Sequence, residues 1–180
     1  RLLWRFPPKR LEGEAIRDSL LQAAGMLNMQ QSGPSYEDVK EIHFNAGRYY
    51  HLIEVKGPKF DRRTIYRFSP RGERDAILDT FDCPDPSATT PTRAVTTTPL
   101  QALSLSNNVF VWRMADGLAN RVRKEAGEAL LDQVRRSWQL SLGREPDEME
   151  RSQASAMIAK HGLASLCRAL FNSSEFVVIE

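Results

Sequence analysis

The sequence predicts a mainly α-helical protein, organised as a single domain of about five or six helices with a small β-ribbon and a long Pro/Thr-rich loop. Three features predict this class. Apolar residues recur at the spacing of one helix face over most of the chain. β-forming residues are confined to a short central stretch, and prolines and threonines are concentrated in the segment that follows it.

Length and composition agree with one folded domain. The chain has 180 residues, within the usual size range of domains, and its 41% hydrophobic residues suffice for a core. We therefore expect one helical domain over residues 1–180, with residues 46–98 as a ribbon-and-loop insertion within it. Because the chain begins with Arg1 and not with methionine, we expect it to be a fragment of a larger protein.

Helices are predicted wherever apolar residues form a single stripe. The first spans Pro8–Met29, with Arg10, Glu14, Arg17 and Asp18 on other faces. A later helix begins at Pro99 with Thr98 as its N-cap, because proline suits the first helical position. We expect it to break at Asn107-Asn108, and three more helices to cover Leu130–Leu142, Pro146–Lys160 and Leu163–Phe171, with Gly143 as a left-handed cap.

The central stretch predicts two short strands. Arg48–Lys56 and Arg62–Phe68 are rich in β-formers, and Gly57-Pro58 separates them, so we expect them to pair as a ribbon. Ala76–Phe81 is predicted to form a short helical turn. Pro84–Thr98 is predicted to be an extended loop.

The charged middle of the chain is its most unusual feature. A basic block is followed at once by Asp75, Asp79, Asp82 and Asp85. The basic residues are Lys56, Lys59, Arg62, Arg63, Arg67, Arg71 and Arg74. One interpretation is an anion-binding face for a sulfated or carboxylated glycan or a phosphate. The interpretation we favour is mutual neutralisation, in which the aspartates match the arginines inside the domain, because the blocks are adjacent and nearly balanced.

Metal and nucleophile chemistry find little support. Asp79, Asp82 and Asp85 offer oxygen ligands for Ca²⁺, but the run lacks the glycine turn and bidentate glutamate of an EF-hand loop, so we expect no metal. The histidines lack metal-binding spacing, and neither Cys-x-x-Cys-His nor Gly-x-Ser-x-Gly occurs. Cys83 and Cys167 leave two alternatives open, a disulfide between them or two free thiols. A Cys83 nucleophile assembled only in three dimensions is a minor alternative.

Charge and hydropathy limit the partners. The formal net charge of +2 is too small to favour nucleic acid or an anionic membrane. We expect no membrane span, because no run approaches the ~18 apolar residues that a span needs. Aromatic side chains could stack on sugars or bases, although they more often cover the buried face of a ribbon. These aromatic residues are Trp4, Tyr49, Tyr50, Tyr66 and Phe68.

Several motifs carry a family resemblance. In chain order they are Leu3-Trp4-Arg5, Glu14-Ala15-Ile16-Arg17-Asp18, Gly33-Pro34-Ser35, Arg62-Arg63-Thr64-Ile65-Tyr66, Phe81-Asp82, Thr96-Thr97-Thr98-Pro99-Leu100-Gln101-Ala102-Leu103, Leu142-Gly143-Arg144-Glu145-Pro146 and Leu170-Phe171-Asn172-Ser173-Ser174-Glu175-Phe176. Together they resemble the C-terminal part of the planctomycete cytochrome-associated domain of unknown function (the DUF1553 family). Cys83 departs from the family's usual Phe-Asp-Ala-Pro, which argues against Cys83 as a shared catalyst.

The resemblance implies a large exported protein, periplasmic or at the cell surface, whose other modules often include a c-type cytochrome. It implies no activity for this segment and no cofactor within it, since the haem would belong to another part of the parent protein. Its partners would be neighbouring domains of the same chain, or a surface protein or glycan.

Two functions follow as hypotheses. The first is a non-catalytic structural or interaction module. The alternative is an enzyme, or an anion- or glycan-binding domain, that uses the Arg62–Arg74 and Asp79–Asp85 region. The candidate ligand-binding residues are Arg62, Arg63, Tyr66, Arg67, Asp79, Asp82, Asp85, Thr98 and Gln101.

Overall fold

A computed structural model describes residues 7–45 and 47–179, so the motif Leu3-Trp4-Arg5 lies outside the described residues. The chain divides into two compact units. The first, here the helical unit, comprises the described residues through Leu11, Ala23–Gly25 and residues 105–179. The second, here the ribbon unit, comprises Glu12–Gln22 and Met26–Ser104.

The part of the chain that the structure describes contains eight α-helices and two small antiparallel sheets. The helices are α1 (Gly13–Ala23), α2 (Ala76–Thr80), α3 (Pro99–Asn107), α4 (Val109–Ala126), α5 (Leu130–Ser141), α6 (Glu148–His161), α7 (Leu163–Phe171) and α8 (Ser174–Val177). The strands are β1 (Lys9–Arg10), β2 (Val39–Phe44), β3 (Gly47–Leu52) and β4 (Val178–Ile179); β1 pairs with β4, and β2 pairs with β3. The prediction of a mainly α-helical fold with a small ribbon is confirmed.

The core of the helical unit lies among four helices. Helix α4 packs on α5 and α7, and α6 packs on the same two helices. The stripe on α4 that includes Val111, Met114, Leu118 and Val122 is fully buried, as helical periodicity predicts. Removing each such side chain from water stabilises the unit by about 1.5–3 kcal/mol.

Helix boundaries in this unit follow their capping residues. The chain breaks between α3 and α4 as predicted, and Asn108 Oδ1 accepts the Phe110 amide at 2.8 Å. Gly143 ends α5 with a φ of +72°, which confirms its predicted left-handed conformation. Asp147 and Glu150 form a capping box at the start of α6, where each side chain accepts the other's backbone amide.

The first predicted helix is shorter than expected at both ends. Lys9 and Arg10 form β1, and Gly25 lies just beyond α1 with a φ of +70°. In the ribbon unit, α1 buries Ile16, Leu20 and Leu21. Arg17, predicted to lie off the apolar stripe, is also buried.

The predicted ribbon forms with a different partner strand. Residues of β3 pair with β2 from Val39↔Leu52 to Phe44↔Gly47, and not with Arg62–Phe68. The latter segment forms a 3₁₀ turn at Thr64–Tyr66, and isolated β-bridges join Arg62 to Asn28 and Arg67 to Tyr36. Its alternating pattern is real, since residues 62 and 64 are buried and residues 63 and 65 exposed, but polar contacts to α1 produce it and not a second strand.

In the ribbon unit, the predicted helical turn and the predicted extended loop are both present. The turn at Ala76–Phe81 is α2, capped by Asp75, whose Oδ1 accepts the amides of Ile77 and Leu78. Pro84–Thr98 has neither helix nor strand. That residues 1–180 form one domain with 46–98 as an insertion stays a prediction.

Acid should weaken the helical unit through Glu150. Its hydrogen bonds from Arg144, at 2.7 and 2.8 Å, hold the pKa of Glu150 at about 2, below its usual value of 4.5. A depressed carboxyl pKa contributes stability that is present above the unfolded value and lost as pH falls through the folded value. The free energy of unfolding should therefore fall between about pH 5 and pH 2, and less steeply in Glu150→Gln than in the native chain.

Urea titration of helical circular dichroism over this pH range measures the effect. Glu148→Gln, a neighbouring first-turn carboxylate, is the matched control and should keep the native slope. Equal slopes for Glu150→Gln and the native chain would contradict the assignment.

Candidate functional site

The candidate site is organised by two adjacent charged residues of α1. Arg17 donates from Nη1 to the carbonyl of Arg62 at 3.1 Å and from Nη2 to the carbonyl of Phe60 at 3.0 Å. Asp18 Oδ1 accepts the Thr64 amide at 2.8 Å and the Thr64 hydroxyl at 2.6 Å. Buried charge-assisted hydrogen bonds are among the strongest polar contacts, so α1 fixes the path of residues 60–64. We call this set of contacts the α1 clamp.

The clamp sets the direction of Arg62. This side chain is 5% exposed and points into the loop that precedes the ribbon. It donates to the carbonyls of Pro34 at 2.8 Å, Ser32 at 2.7 Å and Gln30 at 3.3 Å. Its guanidinium lies 4.1 Å from the centre of the Tyr66 ring, whose hydroxyl accepts the Ser32 amide. Arg62 is therefore an internal brace that holds this loop through both of its terminal nitrogens.

Arg67 is matched by an aspartate that precedes it in the chain. Its Nε donates to Asp38 Oδ2 at 2.7 Å, and the two side chains are 3% and 12% exposed. Tyr36 lies beside the pair, and burial raises the pKa of its phenol to about 12, so it is neutral at physiological pH. Tyr36 also joins the residues before β2 to the segment that contains Arg67, because its backbone forms hydrogen bonds with Tyr66 and Phe68.

The aspartates that follow the basic block have other roles. Arg74 bridges Asp79 at 2.8 Å and Asp85 at 2.6 Å. Asp82, with a φ of +60°, accepts the Thr96 amide at 2.8 Å and the Thr96 hydroxyl at 2.9 Å. These contacts tie the ends of the Pro/Thr-rich loop.

The predicted pairing of arginines with the following aspartates is therefore wrong for three of them. Arg62 meets backbone carbonyls, Arg63 lies 3.6 Å from Asp18, and Arg67 meets Asp38. The predicted pairing with aspartates that follow in the chain holds for Arg74. The partners were missed because they come from α1 and from the residues before β2, at sequence separations that a local count of charges does not reach.

The start of α3 uses the two remaining candidates. Helix α3 begins at Pro99, as predicted, and the Gln101 carboxamide oxygen accepts the Thr98 amide at 3.4 Å. Gln101 is 5% exposed and donates to the carbonyls of Thr80 at 3.1 Å and Thr96 at 3.2 Å. Gln101 therefore holds the loop against α2, and Thr98 contributes its backbone amide to Gln101.

The same loop is held at its middle by Arg93. Its guanidinium donates to Glu12 at 3.0 Å and to Glu14 at 2.8 and 2.9 Å. Glu14 Oε1 also lies 3.6 Å from Cys83 Sγ. Burial, then the Glu14 charge, raises the pKa of the Cys83 thiol to about 11, so at neutral pH it is protonated and a poor nucleophile. Both cysteines are free thiols.

The site offers little room for a ligand and few side chains that could bind a metal ion. The pocket lined by Arg67, Leu78, Cys83 and Asp85 has room for roughly one water molecule. In the described residues, no group of three His, Cys, Asp or Glu side chains is placed to hold a metal ion. None of the helices described is both long and apolar enough to cross a bilayer.

Fold and contacts together define a helical module with a braced, polar ribbon region. A family model described as PSD1, a protein of unknown function (DUF1553), matches residues 1–158, and the chain belongs to this family. The motif Leu170–Phe176 lies beyond the matched residues. No curated protein matches the chain, and no solved structure matches it.

Removing the charge of Arg67 should destabilise the ribbon unit strongly. Arg67→Met leaves Asp38 buried beside Tyr36 without its partner, which costs about 3–5 kcal/mol. Arg67→Met combined with Asp38→Asn should recover part of this loss, because no unpaired charge then remains. Chemical denaturation followed by tyrosine fluorescence measures both variants. A single variant as stable as the native chain would contradict a bracing role for Arg67.

Proposed function

We propose that this chain is a non-catalytic structural or interaction module of an exported multi-domain protein. One observation carries the proposal: the buried charged side chains of the candidate region are engaged in internal contacts. Arg17, Arg62 and Arg67 each have oxygen partners within their own unit. Charges held this way orient the backbone and are withdrawn from ligands. The resemblance to this family supports the part of the proposal that places the chain in a larger, exported protein.

The surface of the ribbon supports an interaction role. The β2–β3 hairpin has Ile42 40%, Phe44 65% and Tyr49 53% exposed. The pairing of β2 with β3 places all three on one side, which we call the outer face. Exposed apolar patches mark interaction sites, and aromatic residues are enriched where proteins contact one another. We infer that the outer face contacts a neighbouring domain or a surface protein.

The alternative, an enzyme or an anion- or glycan-binding domain, finds less support. It requires Arg62, Arg67, Asp79, Asp82 and Asp85 to be available to a ligand. The first two are buried, Asp79 and Asp85 share Arg74, and Asp82 binds Thr96. Two of the exposed arginines in the block, Arg63 and Arg74, also lie beside carboxylates. The pocket beside Arg67 is smaller than a sugar ring.

Photo-crosslinking tests whether the outer face contacts another domain or protein. We expect p-benzoylphenylalanine at Tyr49, on the outer face, to crosslink another domain or protein when the intact native protein is irradiated. Tyr50 is the matched control, because it is the next residue, lies on the opposite face and packs edge-on against Phe68 at 6.0 Å. Crosslinks from position 50 should stay within the ribbon unit. No external crosslink from position 49, mapped by mass spectrometry, would contradict the proposal.

A further inference from the structure

The outer edge of β2 is open to another strand. The Ile53 amide donates to the Asp38 carbonyl at 2.9 Å, which makes Asp38 and Ile53 a hydrogen-bonded pair. Such pairs alternate along an antiparallel ladder, so the next in β2 are residues 40, 42 and 44. Glu41 and His43 therefore direct their backbone N–H and C=O groups away from β3. Within the described residues, no third strand joins this sheet.

The side chains along this edge are exposed, and they differ in chemistry between the two faces of β2. Lys40, Ile42 and Phe44 lie on the outer face, and Glu41 and His43 lie on the other face. Glu41 approaches His43 Nε2 at 3.2 Å and Arg48 Nε at 3.4 Å. An added strand would thus meet apolar groups on one face and an acid–base pair on the other. A two-stranded ribbon is also marginal by itself and gains stability from further strands.

We propose that β2 pairs antiparallel with β2 of a second copy of this chain, about a two-fold axis at Ile42. The two ribbons then form one four-stranded sheet in the order β3, β2, β2 and β3. This rests on the proposed function, because it names the first partner of the same hairpin. Closed two-fold assemblies use the same patch on both subunits, which a self-complementary edge satisfies.

Charge selects the register. With the axis at Ile42, Glu41 lies opposite His43 of the second copy, and the reverse pair forms by symmetry. With the axis at Glu41, two glutamates face each other, and with the axis at His43, two histidines do. A two-fold axis that falls between two consecutive residues is excluded. It would place residues whose backbone N–H and C=O groups point outward opposite residues whose groups point toward β3. The Ile42 register also joins the two Ile42 side chains and lays Phe44 along the Lys40 stem.

The edge of β3 offers no comparable match. Its outward residues are Arg48, Tyr50 and Leu52, by the same alternation. Tyr50 is half-buried against Phe68, and no two-fold register confined to β3 places Arg48 opposite a carboxylate. One strand edge buries far less than the ~1,200 Å² typical of stable interfaces. The dimer is therefore weak and depends on concentration.

A disulfide at the axis tests the geometry. The full chain carries Ile42→Cys with Cys83→Ser, while Cys167 is fully buried. At the axis the two Cα atoms are about 4.5 Å apart, within disulfide range, so mild oxidation should yield a covalent dimer on a non-reducing gel. Tyr49→Cys in the same background is the control on the same face. Its two copies would lie about 14 Å apart, so it should crosslink at least about tenfold more slowly.

A charge swap tests the register in solution. Sedimentation equilibrium of the native chain should show self-association. His43→Glu should weaken it roughly fivefold, because two glutamate–glutamate pairs, which repel, replace two glutamate–histidine pairs. Glu41→His combined with His43→Glu restores the glutamate–histidine pairs and should recover the native association. Circular dichroism of each variant checks that these exposed substitutions keep the fold.

Two results would overturn the inference: equal crosslinking of Ile42→Cys and Tyr49→Cys, or a double variant no better than His43→Glu. Either could occur while Tyr49 still crosslinks to another domain or protein. In that case the second copy is the wrong partner and the interaction role stands. Loss of all external crosslinks from Tyr49 would instead remove the interaction role itself.

Discussion

The ribbon unit depends on one polar constraint, the α1 clamp. Helix α1 contributes an arginine and an aspartate in adjacent positions, and together they bind three successive parts of the segment from Phe60 to Thr64. Apolar packing of α1 decides that the helix is buried, but it does not decide which backbone lies beside it. The directional hydrogen bonds of Arg17 and Asp18 make that choice, because they are satisfied in only one arrangement of the segment.

The remaining braces follow from this placement. Once residues 60–64 are fixed, Arg62 must point toward the Gln30–Pro34 loop, and the backbone of Tyr66 and Phe68 reaches Tyr36. Arg67 then lies at Asp38, directly before β2. The hairpin is thus carried on a chain of internal contacts, which explains how a two-stranded ribbon can present an apolar outer face without a sheet behind it.

Sequence reasoning succeeds where physics is local. Helical periodicity, the Thr98-Pro99 start, the Asn107-Asn108 break and the Gly143 cap each depend on a few consecutive residues, and the structure contains all of them. It fails where partners are distant. The strand pairing of β3 and the partners of Arg62 and Arg67 depend on tertiary contacts that override local pattern.

One feature of the sequence could have corrected the prediction for the site. Arg17 lies four residues before Leu21 on the buried stripe of α1, so a charge there requires a buried partner. Its position within a family motif, beside Asp18, points the same way. Nothing in the local sequence of Arg62–Phe68, by contrast, distinguishes a clamped 3₁₀ turn from a strand, because both expose alternate side chains.

Hydrogen exchange tests the clamp most directly. Asp18→Asn keeps the shape of the side chain but weakens its bonds to Thr64, and Asp132→Asn on the exposed face of α5 is the matched control. Mass spectrometry should show the amides of residues 60–68 losing protection by about tenfold in Asp18→Asn, while those of α4 and α7 keep theirs. Unchanged protection of residues 60–68 would contradict the account.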